Sequence, residues 1–556
     1  MLGFQVQPKF RFLFIVTTIL ITVGIANGSP TPTEDEDVSN PHPCHPATLP
    51  VYKLSPGPCD EGRAVDLAQK LYGVKNYITK WQDSSFVLKG SCGPGSQVTV
   101  EVDKFSGGIW SADLSQNWKP TLYPSLPTDE EARKIADDVI AKYGPNLDSQ
   151  GPFKIGFASI GHTTYASKSE GCDREDRKLD TRVNYVVTVN HSAYGEIPIV
   201  GGGAKFQVGL GDKGRLISYY GTWRVANTDG DEHKVIPKEV ADAKWLESNG
   251  VGNMTWKSYL AYFAAPIGLE QQFLYPVYVY ESTQIVNGKT VQVRSTRVPA
   301  TDFCPVIVNI GPLEVYEKPR KNGTVHKKCR HGVCEDCIKE CGVEYLTMAP
   351  GLASLSKTQA NAVGFLKALE ADGWKINFKW SNQNVWRSDW TINNDVWVDG
   401  ADFVFYTGHA GGDGWYLGDG SLLAYNQIGP NVYGDTDLEW LVIAACGPFQ
   451  DDIIEPGEGD AYSRWNHVFN GLHLILGYAT VSDDTDLEGT MLISNARQGY
   501  TLLESWFKTA AAAQNSDVYA AAMWVHDAYN DHLNGYGPIS EDVKKPTSFG
   551  LMWAPC

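Results

Sequence analysis

The spacing of hydrophobic residues changes along the chain and predicts two kinds of architecture. Between about 85 and 300, apolar and polar residues alternate, as they do in strands that bury one face of a sheet. The clearest alternation runs through Val183, Tyr185, Val187 and Val189. Glycine-rich turns separate such runs, so this part of the chain is expected to form antiparallel β-ribbons.

Two amphipathic helices are predicted to accompany these ribbons. The segment 128–144 begins with a capping box made by Thr128 and Glu131, and a glycine follows its last apolar residue. A second helix is predicted over 237–250, where Pro237 can occupy the first turn. Ribbon and helix together suggest one α+β module that the chain uses twice.

After about residue 345 the pattern changes to short, continuous apolar runs such as 403–407 and 441–445. Helical segments separate these runs, which is typical of a sheet buried on both faces. The predicted fold class is therefore α/β, with a mostly parallel sheet in the C-terminal domain and α+β modules before it. Reactive groups in such sheets lie just beyond the carboxyl ends of the strands.

Three local predictions belong to this domain. A helix is expected to begin at Ser356, whose hydroxyl can cap it. The next strand should place Ile376, Phe378 and Trp380 on one face, because side chains alternate along a strand. The segment 489–514 is expected to be helical throughout.

Composition and charge narrow the possible partners. The 556 residues are 42% hydrophobic and 12% aromatic, which is typical of a globular protein. A formal net charge of -18 repels phosphate backbones and anionic lipid, so no nucleic-acid partner is expected.

The amino terminus has the features of a secretory signal peptide. Lys9 and Arg11 precede the apolar run 12–26, which is short for a membrane span. Later segments contain no apolar run of the length that a spanning helix needs. We therefore expect a secreted protein with no membrane span in the mature chain, and an uncleaved anchor is the alternative.

The domain organisation follows from these patterns. Residues 27–48 are rich in Pro, Thr and acid, as in mobile tethers. The predicted order is a signal peptide (1–26), a tether and N-terminal segment (27–84), two α+β modules (85–180 and 181–318), a basic, cysteine-rich linker (319–344) and an α/β domain (345–556).

Export makes two kinds of covalent modification plausible. Three sequons, expected on the surface, are candidate glycosylation sites at Asn190, Asn253 and Asn322. The 11 cysteines leave one over when thiols pair, and the cluster Cys329, Cys334, Cys337 and Cys341 is expected to form disulfides rather than a zinc site. Cys446, at the end of an apolar run, is the best candidate for the remaining thiol.

His409 and Cys446 are the candidate catalytic residues. Each follows an apolar run among small residues, at what should be the ends of neighbouring strands about 4.8 Å apart. A nucleophilic cysteine needs an imidazole to remove its proton. The backbone N–H groups of Ala410, Gly411 and Gly447 are candidates for stabilising an oxyanion. This arrangement permits acyl transfer.

The stretches "FVFYTGHAG" and "LVIAACG" resemble the caspase-fold cysteine peptidases, which include caspases, legumain, gingipain and clostripain. The similarity covers about 200 residues of strand and helix order. It implies a caspase-like α/β/α sandwich, a Cys446–His409 dyad acting on a peptide or protein substrate, and neither a cofactor nor a catalytic metal. The segment 196–224 resembles PepSY-type propeptide modules, which implies that the N-terminal half is an inhibitor or chaperone of a zymogen. Cleavage in the basic linker would then release it.

Two departures from the family pattern bear on specificity. Ala410 replaces the glycine that follows the histidine, and Ala444 stands where legumain-like enzymes carry an acid, which disfavours asparaginyl specificity. The acids that follow the strands could line a pocket for a basic substrate residue, as in gingipain-like enzymes, or remain as solvated loop acids. They are Asp451, Asp452, Asp483 and Asp484.

Two other functions remain as alternatives. The protein could be a non-catalytic secreted binding protein that keeps a caspase-like fold. It could also be a metal hydrolase using His409, Asp413 and either His467 or His473, although no HExxH spacing is present. The sequence specifies no oligomeric state.

Overall fold

The computed structural model describes residues 48–82, 84–147, 151–227, 229–249, 254–286, 288–303 and 338–556. The predicted signal peptide, the tether up to residue 47, two sequons (Asn253 and Asn322) and the linker up to residue 337 lie outside these residues. We call 48–303 the N-terminal half and 338–556 the C-terminal half.

The N-terminal half consists mainly of strands. Its elements are β1 (Thr48–Ser55), α1 (Glu61–Tyr72), β2 (Asn76–Gln82), β3 (Ser85–Ser91), β4 (Val98–Asp103), β5 (Ile109–Asp113), α2 (Asp129–Tyr143), β6 (Phe153–Ser169), β7 (Glu175–His191), β8 (Gly195–Val200), β9 (Lys205–Leu210), β10 (Leu216–Gly221), β11 (Val225–Ala226), β12 (Asp231–Lys234), α3 (Lys238–Asn249), β13 (Met254–Phe263), β14 (Phe273–Val286) and β15 (Lys289–Pro299).

The C-terminal half alternates strands and helices. Its elements are β16 (Glu340–Tyr345), α4 (Thr358–Glu370), β17 (Lys375–Ser381), α5 (Arg387–Trp390), β18 (Phe403–Thr407), β19 (Ala410–Gly411), β20 (Gly414–Tyr416), β21 (Leu422–Ala424), β22 (Trp440–Ala444), α6 (Ala461–Trp465), β23 (Leu474–Tyr478), α7 (Glu488–Arg497), α8 (Leu502–Ala513), β24 (Tyr519–Val525) and β25 (Ser548–Pro555).

One hydrogen-bonded sheet runs through both halves. In the C-terminal half the strand order is β17, β16, β18, β22, β23, all parallel, followed by β24 and β25, which are antiparallel. Strand β25 then pairs with β6, and the antiparallel sheet of the N-terminal half continues through β7, β9, β10, β5, β4, β3 and β2. The predicted α/β class is confirmed at this level, because a large mixed sheet carries a block of parallel strands.

Helices α4, α7 and α8 cover one face of the parallel strands. Phe365 of α4 packs against Phe403 and Phe405 of β18 with ring centroids 4.9 and 5.0 Å apart. On the opposite face a cluster of indoles, including Trp390 and Trp415 at 4.9 Å, packs against the outer side chains of the same strands. The parallel strands are therefore buried on both sides, which explains their continuous apolar sequence.

In the N-terminal half, α1 and α2 pack against the same face of the antiparallel sheet. Helix α2 has the predicted capping box of Thr128 and Glu131. Helix α2 packs against β7 and β9. The helix predicted for the first module therefore covers strands that were predicted to belong to the second. The predicted boundary at 180/181 falls inside β7, whose ladder with β6 joins the two modules.

The two halves share buried polar contacts as well as the sheet. Lys508 of α8 forms an ion pair with Glu101 of β4 at 2.5 Å, and both side chains are buried. Arg174 binds both carboxylate oxygens of Asp451 at 2.9 Å. From His45 onward the chain clusters as one compact unit, in agreement with these contacts.

Three local predictions in the C-terminal half are corrected. Helix α4 begins after Lys357 and has no side-chain cap, so Ser356 does not cap it. Ile376 packs on the opposite side of the sheet from Phe378 and Trp380, because a register shift at this point of the β16–β17 ladder interrupts the alternation.

The third correction concerns 489–514, which forms two helices, α7 and α8. Thr501 caps the second helix and accepts the N–H of Glu504, so the chain turns between them. Strand β16 begins at Glu340, inside the range that the sequence assigned to the linker. Within the described ranges, every helix is too short or too polar to cross a bilayer.

Candidate active site

His409 and Cys446 lie at equivalent points beyond two neighbouring parallel strands. Strands β18 and β22 pair in register, and Thr407 lies opposite Ala444 at their carboxyl ends. His409 and Cys446 each follow two residues later. Since carboxyl ends of parallel strands meet at one edge of a sheet, the register brings both residues to the same rim, as the sequence predicted.

The imidazole of His409 is buried, with 4% of its surface exposed. Its Nε2 lies 2.7 Å from the carbonyl oxygen of Ala353, in the loop between β16 and α4. A carbonyl oxygen only accepts hydrogen bonds, so Nε2 carries the proton and Nδ1 is the basic nitrogen of the neutral ring. Burial lowers the pKa of His409 to about 4, although the Ala353 carbonyl opposes this shift. The ring is therefore a neutral base at physiological pH.

The Cys446 thiol is partly buried beside the loop that follows β23. The backbone N–H of Ser482 points at Sγ from 3.4 Å, and the Ser482 carbonyl lies 3.6 Å from Sγ. An N–H directed at sulfur favours the thiolate over the thiol. Ser482 was not singled out from the sequence, because its part is played by backbone atoms that any residue could supply.

Both residues line one small cavity of about 20 Å³, which has room for about one water molecule. Its walls also include Asp483, Asp484 and Glu488. Cys446 additionally borders a groove of about 820 Å³ that runs past Ala410, Gly411 and Gly447. The sulfur thus lies between a small cavity and a larger groove, and a substrate side chain can enter the cavity only if part of its wall moves.

Ala410 retains a backbone N–H that can face the groove. Tyr416 donates its N–H to the His409 carbonyl at 2.9 Å, which makes these two residues a hydrogen-bonded pair of the β19–β20 ladder. Hydrogen-bonded and non-bonded pairs alternate in antiparallel ladders, so the next pair, Ala410 with Trp415, directs the Ala410 N–H away from β20. Ala410 has strand geometry with negative φ, so a glycine is not required there.

The other two predicted oxyanion donors are engaged in backbone hydrogen bonds. By the same alternation, Gly411 and Gly414 form a hydrogen-bonded pair, which directs the Gly411 N–H to β20, and the Gly411 carbonyl accepts the Tyr425 hydroxyl at 2.8 Å. The N–H of Gly447 already donates to the Thr480 carbonyl at 3.1 Å. Gly447 is therefore not available as a donor in this conformation. Its φ of +69° shows why glycine occurs there, since L side chains disfavour this region.

The four predicted pocket acids separate into two pairs. Asp451 is held by Arg174, and Asp452 accepts the N–H groups of Gly457 and Gly459 at 2.9 Å, so both are structural. In contrast, Asp483 and Asp484 line the enclosed cavity beside the dyad.

Asp484 is the acid whose carboxylate is most affected by this cavity. One of its oxygens accepts the Lys357 N–H at 3.0 Å, and the other, Oδ1, is shielded from solvent and has no hydrogen-bond partner. Burial raises the pKa of Asp484 to about 7, against the opposing effects of Lys357 and Arg297.

The six cysteines in the described part of the chain form no disulfide with one another. Cys446 is not the most buried of these thiols, since Cys341 in β16 and Cys556 after β25 are more deeply buried. Burial raises the pKa of both thiols to about 12, so they are chemically inert. Cys446 differs from them by lining a cavity.

The histidines of the alternative metal site are not brought together. His473 lies at the amino end of β23, the opposite end from Cys446, where Asp531 holds its Nδ1 at 2.7 Å. Two acidic groups in the described residues have the spacing to share a cation, and neither includes His409: Asp395, Asp399 and Asp435; Asp402, Asp437 and Glu439. In the first group, Asp399 already accepts the N–H groups of Gly434 and Thr436.

A hairpin from the N-terminal half reaches the site, which the sequence did not predict. The Gln292 carbonyl of β15 lies 3.9 Å from the Cys446 Sγ. The Gln284 side chain of β14 accepts the N–H of Ala353 at 3.0 Å. Ala353 is also the residue whose carbonyl oxygen binds His409. These contacts join residues 154 and 69 positions apart, and alternating patterns do not encode such partners.

Comparisons with known proteins give one family-model match to part of the chain and no activity. Residues 342–555 match a family model described as "Domain of unknown function (DUF6345)". No curated protein matches the chain. A solved structure described as an uncharacterized protein from Eubacterium rectale ATCC 33656 shares 10% identity over 45% of this chain and 84% of its own, with a TM-score of 0.27, which is too low to indicate a common fold. The family model thus covers the part of the chain that carries both His409 and Cys446, and its description assigns no function.

Proposed function

We propose that the C-terminal half is a cysteine peptidase of caspase-like fold that acts through a Cys446–His409 dyad. The single observation that carries this proposal is the shared cavity at the ends of β18 and β22, which both side chains line. A caspase-like relationship would account for the match of "FVFYTGHAG" and "LVIAACG" to that family's strand ends. The parallel strands with helices packed on them support the same relationship.

The chemistry follows from the hydrogen bonds of the two side chains. His409 Nδ1 removes the thiol proton while Ala353 holds Nε2–H, and Cys446 attacks the substrate carbonyl. The Ala410 N–H, facing the groove, stabilises the oxyanion of the tetrahedral intermediate. His409 then protonates the leaving amine, and water hydrolyses the acyl-enzyme with His409 as the base. No cofactor is needed in this scheme.

The acids of the cavity favour a basic residue at the substrate position preceding the cut. Asp484 supports this proposal because its Oδ1 is buried without a hydrogen-bond partner in a cavity that borders the sulfur. The cavity has room for about one water, so a lysine or arginine side chain enters only when Gln292 and Val293 move aside, and it then supplies the missing donor. Asp451 and Asp452 have no part in this proposal, since their oxygens bind Arg174 and backbone N–H groups.

We also propose that the protein is secreted and synthesised as a zymogen. The apolar run at 12–26 supports export, and Asn190, whose sequon lies within the residues that the structure describes, is exposed at the end of β7. The N-terminal half would be the propeptide-like inhibitor or chaperone, and the basic linker the processing site. The sheet and the buried Lys508–Glu101 pair favour a processed form whose halves stay bound, instead of release of the N-terminal half.

The test uses a peptidyl acyloxymethyl ketone with lysine next to the warhead, applied to the full chain. We expect covalent labelling of Cys446 that is lost in Cys446→Ala, strongly slowed in His409→Ala and slowed in Asp484→Asn. Glu458→Gln, an acid that borders the open groove and not the enclosed cavity, is the matched control and should label normally. Absence of His409-dependent labelling both by this ketone and by the small reagent iodoacetamide would favour the non-catalytic binding protein.

A further inference from the structure

The hairpin formed by β14 and β15 belongs to a small projection of the N-terminal half. With β13 and α3 it has its own apolar cluster, in which Trp245 stacks on Tyr280 with ring centroids 4.7 Å apart. Short ladders join this projection to the remaining sheet. Strand β13 pairs with β8 at two positions, and β14 pairs with β1 at two positions.

The end of the hairpin, which we call the tip and define as residues 282–286 and 288–293, extends beyond a change of register. The β14–β15 pairing shifts between Tyr280 and Ser282, as occurs where a strand carries a bulge and bends. Past this point Ser282, Thr283 and Gln284 still pair with the end of β13, while Val291 and Val293 pack against the C-terminal half.

Apolar and polar contacts dock the tip across the rim of the parallel sheet. Val291, 1% exposed, joins the apolar cluster of the C-terminal half, and Val293 packs with Ala353 and Leu355. The Gln284 side chain accepts the Ala353 N–H at 3.0 Å and donates to the Gly351 carbonyl at 3.4 Å. Lys289 forms an exposed ion pair with Asp413 at 2.8 Å.

These anchors lie on both sides of Cys446, so β15 passes directly over the sulfur. The Gln292 carbonyl oxygen lies 3.9 Å from Sγ, and Gln292 and Val293 complete the wall of the enclosed cavity. An attacking sulfur must reach a substrate carbonyl at about 3 to 3.5 Å. A peptide whose side chain enters the cavity therefore needs the space that Gln292 and Val293 occupy.

We propose that the tip is an inhibitory strap that keeps the dyad closed to peptides, and that its displacement, not the departure of the N-terminal half, activates the site. This inference rests on the proposed Cys446–His409 dyad. The projection stays anchored in the N-terminal core by Tyr262 and Leu274, so the tip lifts together with the paired end of β13 while the long β6–β25 ladder and the Lys508–Glu101 pair stay intact. Small reagents still reach the sulfur, because Cys446 borders the open groove.

The test compares a small and a large electrophile on the full chain. Val291→Glu combined with Val293→Glu places charges at the docked face and should lift the tip. Labelling of Cys446 by the lysyl peptidyl ketone should then accelerate at least about tenfold, because the open fraction limits the rate. Alkylation by iodoacetamide should change far less. Ile285→Glu, which introduces the same charge at a tip residue that is 56% exposed, is the control and should leave both rates unchanged.

A second measurement uses the wild-type protein, so its result does not depend on whether the variants fold. Amide hydrogen exchange of the loop after β16 is compared before and after wild-type Cys446 has reacted with the peptidyl ketone. The strap predicts loss of protection at Ala353, whose N–H is held by the Gln284 side chain, and full retention of protection there would overturn it. Equal peptidyl-ketone rates in the double variant and wild type would also overturn it. If the rate at which iodoacetamide alkylates Cys446 is the same with and without His409, the proposed dyad fails. This outcome is distinct from failure of the strap.

Discussion

The buried imidazole of His473 allows a quantitative test of how much a buried ion pair contributes to the stability of the fold. The imidazole is 1% exposed and lies between two carboxylates, with Nδ1 2.7 Å from Asp531 and Nε2 3.5 Å from Asp542. Burial alone would lower its pKa, but the hydrogen bond to Asp531 and the charges of both carboxylates outweigh burial and raise the pKa to about 9. Trp440 and the Ser540 N–H hold Asp531 in place.

The magnitude follows from the difference between the folded and unfolded pKa. A rise from the ordinary 6.5 to about 9 corresponds to about 3 kcal/mol at roughly 1.4 kcal/mol per unit. Since the folded pKa exceeds the unfolded one, the native state holds the extra proton between these values. The contribution is fully present below pH 6.5 and is lost as the pH rises through 9.

The assay is urea unfolding, followed by tryptophan fluorescence, of wild type and His473→Gln at pH 6 and pH 9.5. The stability difference between the two proteins should shrink by about 3 kcal/mol over this interval. The matched control is His191→Gln, a half-buried histidine at the end of β7 whose Nδ1 accepts the Ala193 N–H, which should show no such change. A wild-type advantage that stays constant, or grows, with rising pH would refute the ion-pair reasoning.

Three further predictions follow from the same structure. Lys508→Ala leaves Glu101 buried without its cation and should lower the free energy of unfolding by about 3 to 5 kcal/mol in denaturant titrations, whereas Lys70→Ala, at an exposed pair, should cost under about 1 kcal/mol. Protease cleavage confined to the basic linker should yield two fragments that co-elute in native size-exclusion chromatography and separate in denaturant; separation under native conditions would contradict the interface. Iodoacetamide labelling of Cys446 should keep its His409-dependent rate down to about pH 4 and lose it below, because His409 must be neutral; loss near pH 6.5 would contradict the buried environment.

Sequence patterns predicted the elements whose signals are local. Helix α2 was predicted with its cap because Thr128 and Glu131 are three residues apart and make the bonds themselves. Helix α1 was missed, although Asp60 caps its first turn and Gly73 ends it in the left-handed region. Its apolar positions repeat at least as regularly as those of α2, so the local signal for this helix is present in the sequence.

Predictions failed where distant residues decide the outcome. The alternation through Ile376 and Phe378 is broken by the ladder with β16, and a register shift cannot be seen in one strand alone. The predicted module boundary falls inside β7 because pairing with β6 continues across it. Tertiary pairing, not local preference, sets both features.

The candidate site was predicted in part for the same reason. His409 and Cys446 stand at the ends of readable apolar runs, so their placement at one rim followed from the pattern. Ala353 contributes through its carbonyl, which carries no signal in residue type. Gln292 lies on β15, a strand that pairs with β14 of the N-terminal half, so local patterns do not place it beside Cys446. The Gly447 N–H is engaged by Thr480 in the loop after β23, a partner that the sequence around Gly447 does not reveal.

The most direct test of the central claim is the second-order rate constant for iodoacetamide alkylation of Cys446, measured from pH 4 to 9 in wild type and His409→Ala. The dyad predicts a wild-type rate at neutral pH that exceeds that of an ordinary thiol and falls to the ordinary level in His409→Ala, with the variant's rate rising only near a free thiol pKa of about 8.5. Exposed Cys172, read out by mass spectrometry in the same samples, is the internal standard. Superimposable pH profiles for Cys446 in the two proteins would contradict the claim that imidazole and sulfur act together.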